Sequence, residues 1–126
     1  LFPFHYDESD FAYKVRRLGY KCVVVRGAYV FHDFGHEDPI RIHFVHNPLR
    51  AYYVGRNRIL FHWRYSKKHQ FIVFVLIFNW LVTLYYLYIL LLGSRSKIKL
   101  RRRLELARYY LRGVIDGIRM VLGGKL

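Results

Sequence analysis

The sequence predicts an α/β unit over residues 1–65, made of a helix, short strands and a second helix. Three patterns support this: an acidic helix start with helical apolar spacing, a β-branched run, and an Asn-Pro pair that opens another helical pattern. After this unit we expect a hydrophobic, membrane-associated or transmembrane segment over residues 66–93. A basic amphipathic helix is expected over residues 94–126.

The first helix is predicted to begin at the acids Asp7, Glu8 and Asp10, because carboxylates oppose the positive end of a helix dipole. Phe11 and later apolar residues recur at helical spacing, and Gly19 supplies a C-terminal stop. We therefore expect a helix of about three turns.

The run from Cys22 to Phe31 is rich in β-branched and aromatic residues, with Gly27 in its middle. This composition predicts one bent strand or two short strands. Cys22 is expected to be a small buried residue of that strand. As the single cysteine, it excludes an internal disulfide and a zinc site built on several cysteines.

A second helix is predicted to begin at Asn47-Pro48 and to continue to about Tyr65. It is followed by 22 residues without a charge, residues 71–92. As a helix they would extend roughly 33 Å, against a hydrocarbon core of about 30 Å. Both flanks are basic, so the positive-inside rule leaves three arrangements open: a spanning helix, a hairpin, or a helix within one leaflet.

The net charge of +14 is unevenly distributed along a chain that is 54% apolar and 19% aromatic. Residues 39–104 contain 13 Lys or Arg and no Asp or Glu. This composition argues against a disordered tail and against a soluble nucleic-acid-binding arm, so we expect no nucleic-acid partner. The C-terminal region adds an apolar stripe that suits an anionic membrane surface, a partner helix or its own domain: Leu100, Leu104, Ala107, Leu111, Val114, Ile118 and Val121.

The order of motifs in residues 1–65 resembles the C-terminal half of family 2 glycosyltransferases, in the rhamnosyltransferase-like and galactofuranosyltransferase-like branch. The resemblance rests on Phe4-His5-Tyr6-Asp7-Glu8-Ser9-Asp10-Phe11, then Arg16-Arg17, Gly19-Tyr20, a Val-rich run ending at His32, and Tyr53 with Arg56-Asn57. It implies an incomplete GT-A domain and an inverting sugar transfer from a nucleotide-sugar donor to a lipid-linked or cell-surface glycan, as in polysaccharide biosynthesis.

The resemblance also implies roles for individual residues. The family motif reads Glu-Asp-x-Asp-Leu, with its second acid as general base, and Glu8 matches that position although the two acids are exchanged here. The base is therefore Glu8 or Asp7, and Asp10 would hold the helix start or the acceptor. His32 would help bind the divalent cation, Mg²⁺ or Mn²⁺, or the donor diphosphate. Arg56-Asn57 would face the donor phosphates or the acceptor.

The chain opens at Leu1 without an initiator Met, so we expect it to be part of a longer enzyme whose N-terminal half binds most of the cation and donor. The isolated piece is expected to be inactive. The predicted location is the cell membrane, with the catalytic part on the cytoplasmic face and lipids among its partners. The alternative is a basic membrane-anchored adaptor without activity, in which the acids only stabilise a helix start.

Overall fold

A computed structural model describes residue 2 and residues 5–31, 47–92 and 99–124. These residues form four helices: α1 (Asp7–Arg17), α2 (Pro48–Tyr65), α3 (Lys68–Leu91) and α4 (Leu100–Leu122). The predicted α/β class is wrong for this part of the chain, because no strand occurs in the described residues. The four predicted helices are confirmed, and the strands between the first two are not.

The segment that was predicted as strands follows α1 as an irregular, exposed stretch. Val24 and Phe31 are completely exposed, and Cys22 is exposed rather than buried in a strand. A β-branched run becomes a strand only when a neighbouring strand accepts its backbone hydrogen bonds. Within the described residues, this run has no such neighbour, so its local preference is not realised.

The end of α1 and the start of α2 are determined by residues next to them in the sequence. The side chain of Asn47 accepts a hydrogen bond from the backbone N–H of Leu49 at 2.9 Å, and Pro48 occupies the first helical position. After α1, Gly19 adopts a positive φ of 88°, a conformation that favours glycine. Helix starts and stops of this kind depend on a few adjacent residues, which explains why the sequence predicts them well.

Glycines bring the backbones of α2 and α4 into direct contact. A Cβ atom on Gly113 would overlap the carbonyl oxygen of Tyr52, and one on Gly55 would lie 2.6 Å from the carbonyl oxygen of Tyr110. A Cβ on Gly117 would lie 3.0 Å from a backbone carbonyl of α2. Only glycine permits this approach, so the α2–α4 seam depends on the absence of side chains.

α3 is one continuous helix with a π-helical segment at Phe74–Phe78. The wider π turn changes which side chains face α2 and α4, because each residue there rotates less about the axis. Phe71 before this segment and Phe74 at its first position face the protein, and Asn79, Thr83 and Leu90 face it afterwards. The π segment thus keeps one side of α3 on the bundle along the whole helix.

The opposite side of α3 is apolar and exposed. Side chains that are four residues apart along this side, among them Leu76, Trp80 and Leu84, are each at least 49% exposed. In the described part of the chain, α3 is the one helix that is long and apolar enough to cross a membrane, by length and composition. Its 24 residues extend about 36 Å.

Candidate functional site

The acidic turn at the start of α1 contains the three predicted catalytic acids in two different environments. Asp7 and Glu8 are exposed, whereas Asp10 is buried. The residue that precedes the helix is Tyr6, and no side-chain hydrogen bond caps this helix start in the described part of the chain. Asp7 and Glu8 are therefore first-turn residues with carboxylates directed to solvent, not capping groups.

Asp10 is held by side chains of α1 and α2. Its carboxylate accepts a hydrogen bond from the Tyr65 hydroxyl at 2.5 Å and forms an ion pair with Lys14 at 2.5 Å, with Arg64 at 3.9 Å. Burial by itself raises the pKa of Asp10, but the hydrogen bonds from Lys14 and Tyr65 and the nearby positive charges outweigh burial and lower it. Asp10 is thus an ionised group that fixes α1 on α2.

The two residues before α1 are held in an unusual backbone conformation. His5 and Tyr6 have positive φ angles of 57° and 65°, which non-glycine residues rarely adopt. The Asn57 amide donates a hydrogen bond to the His5 carbonyl oxygen at 3.3 Å, and the Tyr6 ring lies 5.0 Å from the Phe61 ring. Contacts with α2 therefore maintain strained backbone directly before Asp7, a pattern typical of functional sites.

Arg56 and Asn57, predicted to face the donor phosphates or the acceptor, lie on α2 with their side chains hydrogen-bonded to each other. The Nε of Arg56 donates to Oδ1 of Asn57 at 3.0 Å, and its guanidinium lies 4.6 Å from the centre of the Tyr53 ring. Asn57 is fully buried and its amide holds His5. The structure therefore brings this pair next to the backbone that leads into the acidic turn.

The predicted metal ligand, His32, lies outside the described residues. Within the residues that are described, no group of three or more His, Cys, Asp or Glu side chains is arranged to hold a metal ion. In the acidic turn, Asp7 and Glu8 are exposed, and the carboxylate of Asp10 is already occupied by Lys14 and Tyr65. A cation role for His32 stays a prediction.

His5, which belongs to the sequence motif but has no predicted role, is a further titratable group beside the acidic turn. Partial burial and the charge of Arg50 lower the pKa of its imidazole, against the opposing charge of Asp7. A neutral imidazole close to an ionised carboxylate can accept or pass on a proton. His5 is thus a further candidate for proton transfer, two positions before Asp7 in the sequence.

A buried polar centre that was not predicted from the sequence joins α2, α3 and α4. Arg58 is only 5% exposed, and its guanidinium donates to the Tyr110 hydroxyl and Asn79 Oδ1 at 2.8 Å each, and to Thr83 Oγ1 at 3.0 Å. Asn79 and Thr83 are the two polar residues in the middle of the uncharged run. Their spacing of four residues on one helix face was the available signal.

Two donors in this polar centre have no hydrogen-bond acceptor in the described part of the chain, the Nε of Arg58 and the Nδ2 of Asn79. A buried guanidinium that is bonded to neutral oxygens keeps its full charge inside the bundle. The ring of Tyr110 lies 5.6 Å from the guanidinium carbon and stacks on the Tyr86 ring at 4.5 Å, which adds aromatic contact around the charge.

The comparisons with known proteins supply no relative for this chain. No protein-family model matches it, and neither a curated protein nor a solved structure matches it.

Proposed function

We propose that this chain is the membrane-associated, acceptor-side part of a glycosyltransferase, in which Glu8 or Asp7 removes the proton from the acceptor hydroxyl. The observation that carries the proposal is the acidic turn itself. Its two exposed carboxylates follow directly on backbone that α2 holds at positive φ, whereas a turn that only begins a helix needs no such arrangement.

The proposed chemistry uses one carboxylate at a time. As the acceptor oxygen bonds to the anomeric carbon, its proton passes to the carboxylate and the nucleotide leaves with the bonding electrons. The positive end of the α1 dipole favours the ionised form of a first-turn acid, which a general base requires. Asp10 would serve as a positioning residue, since its carboxylate is occupied by Tyr65 and Lys14.

The neighbourhood of α3 supports a membrane-bound acceptor. Tyr65, which holds Asp10, lies three positions before Lys68, where α3 begins. The acidic turn is therefore close to one end of the helix with the exposed apolar side. An enzyme that is attached to the same surface as its acceptor meets it at a raised effective concentration.

The test is sugar transfer by membranes that contain the complete polypeptide to which this chain belongs, with a panel of nucleotide sugars. Glu8→Gln and Asp7→Asn are compared, because each preserves shape and removes the charge. We expect one of them to reduce transfer at least about 100-fold, the usual scale of a lost general base, and the other to have a small effect.

The matched control is Ser9→Ala, on the same exposed turn, which should transfer sugar at the unmodified rate. Membrane association should be equal in all variants, because none of the three residues lies in α3. Full transfer by Glu8→Gln, by Asp7→Asn and by the double variant would contradict the proposal and would favour the non-catalytic adaptor.

A further inference from the structure

The contacts of α3 with α2 and α4 limit how deeply α3 can enter a membrane. α2 runs beside α3 in the opposite direction: His62 stacks on Phe74 at 3.8 Å, and Arg58 reaches Asn79 at the middle of α3. The two helices thus share at least half the length of α3 and do not merely join at one end.

α4 lies beside the second half of α3. The rings of Tyr110 and Tyr86 stack at 4.5 Å, and the Arg103 guanidinium donates to the Leu91 carbonyl oxygen at 3.3 Å. α3 is therefore accompanied by α2 or α4 from its first turn to its last. Any depth that α3 reaches in a bilayer is also reached by its neighbours.

Those neighbours are strongly basic. If α3 spanned the bilayer, Arg58 would lie at the midplane, since Asn79 is eleven residues from Lys68 and twelve from Leu91. Exposed cations of α4, such as Arg112 and Arg119, are 74% and 77% exposed in their side chains and would be carried along. Arginine in the hydrocarbon region is strongly unfavourable unless it is shielded or reaches water.

The charges at the two ends of α3 also argue against a spanning helix. Lys67 and Lys68 are at one end, and Lys99 and Arg101 lie close to the other end through the Arg103 contact. A spanning helix would place the basic residues of one end on the non-cytoplasmic side of the membrane, which the positive-inside rule disfavours. A helix in the plane of one leaflet places the basic residues of both ends on the same anionic surface.

We propose that α3 lies in the plane of the membrane, with its exposed apolar side in the acyl chains of one anionic leaflet and with α2 and α4 on the aqueous side. The proposal rests on the membrane association proposed above and specifies its geometry. It predicts that both ends of α3, and α1 with them, face the same aqueous compartment.

The test is labelling of single cysteines by a membrane-impermeant maleimide in right-side-out and in inverted membrane vesicles from an expression host. Three proteins are used: the unmodified chain, with exposed Cys22 as its one cysteine, and Lys67→Cys and Lys99→Cys, each combined with Cys22→Ser. Both lysines are exposed, so these changes leave the bundle contacts in place. Detergent-treated samples define complete labelling.

We expect all three cysteines to be labelled in one vesicle orientation and protected in the other. Labelling of Lys67→Cys and Lys99→Cys in opposite orientations would overturn the in-plane arrangement while leaving membrane association intact. Recovery of the protein in the soluble fraction, without membranes, would overturn both this inference and the proposed membrane association.

Discussion

The α2–α4 seam and the α2–α3 seam hold the same bundle together by different means. In the first, Gly55, Gly113 and Gly117 let the two backbones touch. In the second, the guanidinium of Arg58 bridges α2 to Asn79 and Thr83, beside the stacked rings of His62 and Phe74. The first seam therefore depends mainly on shape, with the Arg58–Tyr110 and Tyr52–Asp116 hydrogen bonds also crossing it. The second depends on charge and hydrogen bonding.

This difference predicts different responses to mutation and to pH. The close backbone contacts of the first seam should fail when a Cβ atom is added and should be insensitive to pH. A seam built on a buried cation and an imidazole should respond to the loss of single polar atoms and to protonation.

The largest effect is expected for Gly113→Ala, because the added Cβ would overlap the Tyr52 carbonyl oxygen in the backbone of α2. We expect a loss of about 3 kcal/mol in the free energy of unfolding, which is at the upper end of the range that is typical of overpacked cores. Gly117→Ala should cost less, because its Cβ would lie 3.0 Å from the nearest atom. Thermal unfolding in detergent, followed by circular dichroism, measures both.

The matched control is Ile115→Ala, on the exposed side of the same helix, which is expected to change stability by less than about 1 kcal/mol. Equal effects of Gly113→Ala and Ile115→Ala would show that the seam has room for a side chain. That result would remove the contrast between the two seams.

The second prediction concerns the coupling between Arg58 and Asn79. Asn79→Leu leaves a buried guanidinium with one acceptor fewer, whereas Arg58→Leu removes the buried charge and leaves neutral oxygens without their donor. We therefore expect Asn79→Leu to be the more destabilising change. The double variant should be more stable than the sum of the two effects predicts, by about 1 kcal/mol or more.

A pair without contact provides the comparison: Arg112→Leu, on the exposed side of α4, combined with Asn79→Leu. The effects of these two changes on the free energy of unfolding should be additive. Additive effects of Arg58→Leu and Asn79→Leu in the same unfolding assay would mean that the bond at 2.8 Å contributes nothing specific to the seam.

The smallest effect is a dependence of stability on pH from His62. Burial, and then the charge of Arg58, lower the pKa of this imidazole below its ordinary value of 6.5. As the pH falls below 6.5, His62 is protonated in the unfolded chain before it is protonated in the folded bundle. The contribution of neutral His62 to folding stability is therefore complete above pH 6.5 and is lost as the pH falls to the lower pKa of the folded state. The bundle should therefore unfold at a lower temperature at weakly acidic pH.

His62→Phe retains an aromatic ring against Phe74 and removes the titrating group. The variant should lose less stability than the unmodified chain between neutral and weakly acidic pH. Some dependence should remain, because the pKa of His5 is lowered as well. An identical pH dependence in both proteins would exclude His62 as a source.

The helices were predictable because their signals are local. Asn47-Pro48 and Gly19 act through a few adjacent residues, and the uncharged run is continuous in the sequence. The predicted strands failed because a β-branched run needs a neighbouring strand, which the described residues do not supply. The division into residues 1–65, 66–93 and 94–126 stays a prediction, although side-chain contacts cross both boundaries.

The two seams were hard to predict because their partners are distant in sequence. Gly113 and Gly117 have the spacing of a close helix contact, but nothing local indicates that Tyr52 and Arg56 lie against them. The predicted apolar stripe of α4 coincides only in part with the buried side. Ala107 and Val114 are buried as members of the stripe, but Leu104 is 54% exposed, and Leu106 and Tyr110 are buried outside it. The sequence correctly predicted that the acids lie at a helix start. It did not show that Asp10 is buried and Glu8 is exposed, because the burial of Asp10 depends on Tyr65 of α2.

We propose that α3 has one side on the protein and one side in lipid. Trp80 tests this most directly, because it is 49% exposed near the midpoint of α3. The variant Trp63→Phe makes Trp80 the single tryptophan, and its fluorescence is followed in anionic vesicles. We predict quenching by lipids brominated near the headgroup, weaker quenching by lipids brominated near the chain end, and little quenching by aqueous acrylamide. Strong quenching by acrylamide with none by either lipid would contradict the claim.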